Sequence, residues 1–229
     1  MEIHLGASWG CLWSRTPMTI LFLTALTPLV AAETVPTASA LDALLTGLKT
    51  TYADVDALQA DFTQVTRSAH FGEGPAQGGQ IILGRPRMMR IAFTGEAGAL
   101  FLSDGSDLYV YSPLGNQVII TPDLADKSDG VTDLLSSLSA LEERFEITLL
   151  PAEEATIALS LTPKDDARIM TMQLSMTTDY QLTSLSVTDA FDSTTEMQFS
   201  NMTLNPDLPE GVFTFAIPEG ASVIRSDEL

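Results

Sequence analysis

The run Gly78-Gly79-Gln80-Ile81-Ile82-Leu83-Gly84-Arg85-Pro86-Arg87-Met88-Met89-Arg90-Ile91-Ala92-Phe93 constrains this chain more than any other stretch. Alternating apolar residues approach and then leave an Arg-Pro pair. Pro86 has a fixed φ and no N–H to give to a ladder, so it belongs at a corner between two antiparallel strands. The period of two then sorts the side chains by face. Gly79, Ile81, Leu83 and Arg85 share one face before the corner; Arg87, Met89, Ile91 and Phe93 share one after it, with Met88, Arg90 and Ala92 on the other. Arg85 therefore ends an apolar stripe. It reads either as a solvated strand-end charge or as a cation set at the rim of an apolar surface.

The same period recurs along most of the chain. Leu58 to Gln64, continued by Val65-Thr66, reads as a strand with Leu58, Ala60 and Phe62 inward, and the Gly-rich Ser68 to Gln77 as a mobile connection. A meander follows: Ala99 to Leu102, Asp107 to Tyr111 and Gln117 to Thr121, joined by Ser103-Asp104-Gly105 and Pro113-Leu114-Gly115-Asn116. Further strands are predicted over Phe145 to Leu150, Thr156 to Thr162, Arg168 to Thr177, Gln181 to Thr188, Glu196 to Leu204 and Val212 to Ala216. Helical spacing occurs twice. Leu41, Leu44, Leu45, Leu48 and Tyr52 form one stripe, with Ser39 as candidate N-cap; Val131, Leu134, Leu135, Leu138 and Leu141 form a second. About eleven strands and two or three helices predict a mainly β fold, an antiparallel sheet covered by a helical lid. Met170, Met172, Leu174 and Met176 fall on one face of a strand, readable as core or as an adaptable ligand-contacting stripe.

Residues 1–32 read as a cleavable export leader. Arg15 precedes the apolar run Met18 to Leu26, which is too short to span a bilayer comfortably and is followed by Pro28, and Val30-Ala31-Ala32 offers small residues for cleavage. Residues 33–229 then form one domain that contains no cysteine, since Cys11 lies in the leader. A domain held by packing alone suits a periplasm-like compartment. The formal net charge of −19 favours solubility and repels nucleic acid and anionic membranes.

The chemistry of the side chains is sparse. One histidine, His70, remains after the leader, so a Ser/His/Asp hydrolase or a multi-ligand metal site has little to build on. No Asp-rich calcium loop, phosphate-binding glycine loop or dinucleotide fingerprint occurs. The pattern points to non-enzymatic binding without cofactor or metal.

The residues that carry a family likeness are Phe62-Thr63-Gln64, the Gly84-Arg85-Pro86 corner, Ser103-Asp104-Gly105 before Leu108-Tyr109-Val110-Tyr111, Leu161-Thr162-Pro163-Lys164, and the ending with Asn205, Phe213-Thr214-Phe215 and Pro218-Glu219-Gly220. In this order and spacing, over roughly Leu41 to Val223, the chain resembles the periplasmic outer-membrane lipoprotein carrier family LolA. The resemblance implies an unclosed, strongly curved antiparallel half-barrel with an apolar cavity for acyl chains. It also implies acylated lipoproteins as cargo, received by a monomer from an inner-membrane ABC release complex and passed to an outer-membrane acceptor protein or membrane. It casts Arg85 as a latch hydrogen-bonded to the lid. It places Met89 where relatives often carry an aromatic, with the Met-rich strand Met170 to Met176 in compensation, and it leaves little chain beyond Val223-Ile224-Arg225 for an extra strand. By parity the cavity-facing candidates are Phe62, Ile81, Leu83, Met89, Ile91 and Phe93, with Leu134, Leu135 and Leu138 from the lid and Met170, Met172 and Met176 from the later strand. Two other classes stay open: a lipid-sensing regulatory module on a similar sheet, and a hydrolase using His70.

Overall fold

Among the described residues thirteen strands join in one sheet, and the hairpin at Arg85-Pro86 lies near its middle. The computed structural model describes residues 38–95, 98–122, 138, 141–164 and 169–227. The chain divides into one unit from Met1 to Thr34 and another from Val35 to Leu229. The leader expected over residues 1–32 lies outside the described residues, as do Leu134 and Leu135.

In chain order the elements are α1 (Ala38–Tyr52), β1 (Ala57–Ser68), β2 (Gly72–Glu73), β3 (Gln77–Gly84), β4 (Met88–Phe93), β5 (Leu100–Asp104), β6 (Leu108–Ser112), β7 (Gln117–Thr121), α2 (Leu141–Arg144), β8 (Phe145–Leu150), β9 (Thr156–Pro163), β10 (Ile169–Thr177), β11 (Leu182–Asp189), β12 (Thr194–Leu204) and β13 (Ser222–Arg225). The sheet runs β13-β7-β6-β5-β4-β3-β1-β12-β11-β10-β9-β8, with β2 beside β1. Its edges, β13 and β8, do not pair with each other, so the sheet is curved but unclosed.

Every adjacent pair is antiparallel except β13 on β7. Curvature has local causes. Between Gln59 and Asp61 the register slips, so that Ala60 opposes an extra residue of β12; Asn201 adopts φ +52° there and its amide donates to Asp61 at 2.8 Å. Such a bulge bends a strand and increases its twist.

Three expectations change. The Ser68 to Gln77 connection contains β2, which pairs Arg67 with Glu73 and Ser68 with Gly72. Val212 to Ala216 is no strand. With Pro206, Pro209 and Pro218 unable to donate to a ladder, residues 205–221 form an irregular strap. The strap leads into β13 at Ser222–Arg225, an element that sequence reading left out. With Val212 to Ala216 removed and β2 and β13 added, the sheet has thirteen strands among the described residues, against about eleven expected.

The two faces of the sheet pack separately. On the inner face Leu58, Ala60, Phe62, Ile81, Leu83 and Met89 join Leu159, Leu161, Met172, Leu174, Met176 and Leu185 in one buried core, closed by Leu48 and Tyr52 of α1. On the outer face Ile82, Leu102, Val118 and Ile120 are also buried. The strap packs there: Phe213 lies against the Gly84 backbone, and the Phe215 ring stacks on Tyr109 with centroids 5.1 Å apart.

Candidate functional site

The inner face around the Arg-Pro corner is built by cross-strand registry. Ile81 pairs with both Ala60 and Ile91, and Leu83 with both Leu58 and Met89, which places these side chains in rows across β1, β3 and β4. Gly79 opposes Phe62 and Phe93, and a Cβ there would meet the Phe62 ring. The missing side chain lets Phe62 and Phe93 meet edge to face, with centroids 5.2 Å apart. Phe62, Ile81, Leu83 and Met89 are buried; Ile91 and Phe93 are half-buried against the same core.

Met172 and Met176 are buried on the inner face as well, but Met170 is not. Registry with β11 slips between Ile169 and Thr171, so Met170 is the extra residue of a bulge and is 57% exposed. The simple alternation that grouped it with Met172 fails at that residue.

At the corner the Arg85-Pro86 peptide is cis and Arg87 has φ +59°. The Arg85 side chain is largely exposed, yet its Nη2 donates to the Tyr52 carbonyl at 2.9 Å, and its backbone N–H donates to the Asp56 carbonyl at 2.9 Å. Tyr52 is the last residue of α1, where carbonyls lack helical donors and a cation interacts favourably with the helix dipole. Arg85 thus ties the hairpin corner to the end of a helix. Asn205 makes a second tie: its Oδ1 accepts from the N–H groups of Asp56 and Ala57 at 2.8 and 3.2 Å, and its Nδ2 donates to the Asp54 carbonyl at 2.9 Å. Neither Tyr52 as a partner of Arg85 nor Asn205 as a loop clamp stands out from residue spacing. The one usable signal is an Asn at a strand end before Pro206.

Helix α1 begins at Ala38, which puts the candidate cap Ser39 inside the first turn. It lies across the inner face through Leu48 and Tyr52, and it has no side chain at Gly47 because the Tyr180 ring occupies that space. The Tyr52 hydroxyl donates to the Tyr180 carbonyl at 2.8 Å. From the segment before α2, Leu138 is buried against the same core. An exposed ion pair, Lys49 with Glu142 at 3.2 Å, links α1 to α2 and adds at most about 1 kcal/mol. Where Tyr52, Leu58, Leu83, Arg85 and Leu138 meet, a small solvent-open pocket of about 20 Å³ remains. His70 sits exposed in the β1–β2 turn, its backbone N–H donating to Ser68 Oγ at 3.3 Å.

Burial pushes the Tyr52 phenol up to about 12, partly opposed by a hydrogen bond with the Leu182 backbone. The folded state therefore keeps its proton above pH 10, where the unfolded chain releases it. The linked stability is fully present below pH 10 and is lost as pH rises towards 12, about 2 to 3 kcal/mol in all. Denaturant melts from pH 9 upward should show wild type losing more stability than Tyr52→Phe, which lacks the proton. Parallel losses in the two proteins would show that Tyr52 is not held neutral by this packing.

Residues 53–216 match the family model described as outer membrane lipoprotein carrier protein LolA. The outer-membrane lipoprotein carrier protein of Bordetella avium is 30% identical over 181 residues, covering 78% of this chain and 85% of that protein. The carrier protein of the same name from Hahella chejuensis is 28% identical over 211 residues, covering 91% and 99%. A solved structure of an uncharacterized conserved protein from Thermus thermophilus superposes with a TM-score of 0.51 at 13% identity, covering 81% of this chain and 99% of that one, which is a likeness of fold alone. With the family model matched over most of its length, the chain belongs to the outer-membrane lipoprotein carrier protein family LolA.

Proposed function

We propose that the protein is a periplasmic carrier that shelters the acyl chains of lipoproteins on their way to the outer membrane. One observation supports this above the others. The apolar inner face of an unclosed sheet is filled by the chain's own α1 and Leu138, with Arg85 bonded across an open pocket to the end of α1.

Each acyl CH2 kept from water is worth about 0.8 kcal/mol, so a tri-acyl anchor needs an apolar sleeve to cross an aqueous gap. A sleeve that fills itself when empty competes with its load, which lowers the affinity to a level from which transfer is possible. On this reading residues 1–32 are a leader removed on export, residues 33–229 are the working domain, and the carrier acts as a monomer. It takes its load from an inner-membrane lipoprotein-release ABC complex and passes it to an outer-membrane acceptor protein or membrane. The cycle needs no cofactor, metal or covalent step, and His70 has no role in it, so His70→Ala carries acyl ligand like wild type.

The test is uptake of a fluorescent fatty acyl probe by the purified protein, with mass spectrometry of lipids and lipoproteins that copurify. About one probe site per chain is expected. A folded protein that takes up neither probe nor native acyl ligand overturns the reading.

A further inference from the structure

Strand directions give the sheet two rims. One holds the Arg85 corner and the Asn205 clamp. The other holds the turns after β1, β6 and β11 and the start of β10. Among the described residues the four most exposed large apolar side chains all lie on that second rim: Phe71 at 92%, Phe191 at 78%, Leu114 at 76% and Met170 at 57%. Phe71, Leu114 and Phe191 are carried on turns in which backbone N–H groups bond internally, the His70 N–H donating to Ser68 Oγ beside Phe71. Asp189 Oδ1 accepts from the N–H groups of Phe191 and Ser193 at 2.8 and 3.0 Å, and Asn116 N–H donates to the Pro113 carbonyl at 3.1 Å under Leu114. Such turns hold an apolar tip outward and enter an apolar medium with few backbone groups left unsatisfied.

We propose that this rim is a lipid-bilayer docking edge, with Phe71, Phe191 and Leu114 inserting at the headgroup–acyl boundary. The spacing of the tips favours a bilayer over a protein partner. Leu114 and Phe191 are six strand intervals apart, roughly 25 to 30 Å along the sheet, with Phe71 on the turn after β1 between them. A protein interface of ordinary size has a contiguous apolar centre, whereas a bilayer meets separate tips with the same medium at every point. Charge does not supply the attraction. The chain carries a formal −19, and Arg67, at the same end of β1, is bound by Glu73 and Glu196 at 2.8 and 2.6 Å. Docking is therefore apolar, shallow and insensitive to salt. The inference rests on the carrier reading for its purpose, a carrier that must approach a membrane, but not for its geometry.

The experiment is flotation of the exported, soluble protein with phosphatidylcholine vesicles at low and high salt, comparing wild type with Phe71→Ser, Phe191→Ser and the triple variant that adds Leu114→Ser. Acyl-probe uptake and thermal midpoint are measured on the same samples. All three positions are exposed, so the variants fold. Each phenylalanine removed should lower vesicle partitioning about tenfold or more, at both salt concentrations, with probe uptake unchanged. Wild-type protein that does not float, a triple variant that floats like wild type, or binding abolished by salt overturns the docking edge, an electrostatic or protein contact then being the alternative. Flotation that depends on the tips in a protein that takes up no acyl probe would instead refute the carrier reading and leave the docking edge standing.

Discussion

Arg85→Leu is expected to load acyl ligand normally, hold it about tenfold more tightly than wild type and release it correspondingly slowly. The substitution keeps an apolar stem and removes the donor that reaches the Tyr52 carbonyl at 2.9 Å. A hydrogen bond from a charged group is worth about 1.5 to 3 kcal/mol, and the exposure of the Arg85 side chain places this one at the lower end. The closed, self-filled form loses that much relative to the open one. Because apparent affinity scales with the fraction of protein competent to bind, the loss appears as tighter holding. The Asp56 tie is made by the backbone of residue 85 and survives, so the corner itself stays formed. Release from preloaded protein to acceptor membranes, measured beside thermal stability, decides the matter. A folded variant that releases as fast as wild type leaves Arg85 a solvated strand-end charge.

Met89→Glu is expected to have the opposite sign on loading. Met89 is buried on the inner face between Leu83 of β3 and Ser103 of β5. A carboxylate there loses hydration without a designed partner, which costs several kcal/mol on the scale of buried polar groups. Desolvation raises its pKa above the ordinary glutamate range. The penalty is then smallest at acid pH, where both states hold the proton, and grows as pH rises through the raised value. Thermal stability and acyl uptake should both fall at neutral pH, with stability partly recovered relative to wild type near pH 4. Uptake equal to wild type in a stably folded variant would show that position 89 does not bear on the acyl path.

Much of the hairpin was legible because alternation and a proline corner are local rules. The parity that put Leu58, Ala60 and Phe62 inward, and Ile81 and Leu83 with Met89, agrees with their burial. Helix α1 was legible for the same reason, from the spacing of Leu41 to Tyr52. Alternation misled where the backbone inserts a residue, as at Met170, since a bulge changes face without changing composition. Val212 to Ala216 has strand-like residues but no ladder partner, because the prolines around it route the segment over the outer face. The ties at Arg85 and Asn205 join residues 33 and about 150 positions apart, and no periodicity reports contacts at that range. Leu138 is seen packed in the core, while its expected companions Leu134 and Leu135 fall outside the described residues.

The central claim is that the inner face of this sheet can exchange its own side chains for the acyl chains of a lipoprotein. Native mass spectrometry of the protein mixed with a tri-acylated lipoprotein, after dilution from detergent, tests it most directly. The account predicts a soluble one-to-one complex, absent when the lipoprotein lacks its acyl chains. Folded carrier recovered free, with the acylated lipoprotein aggregated or left in micelles, would contradict it.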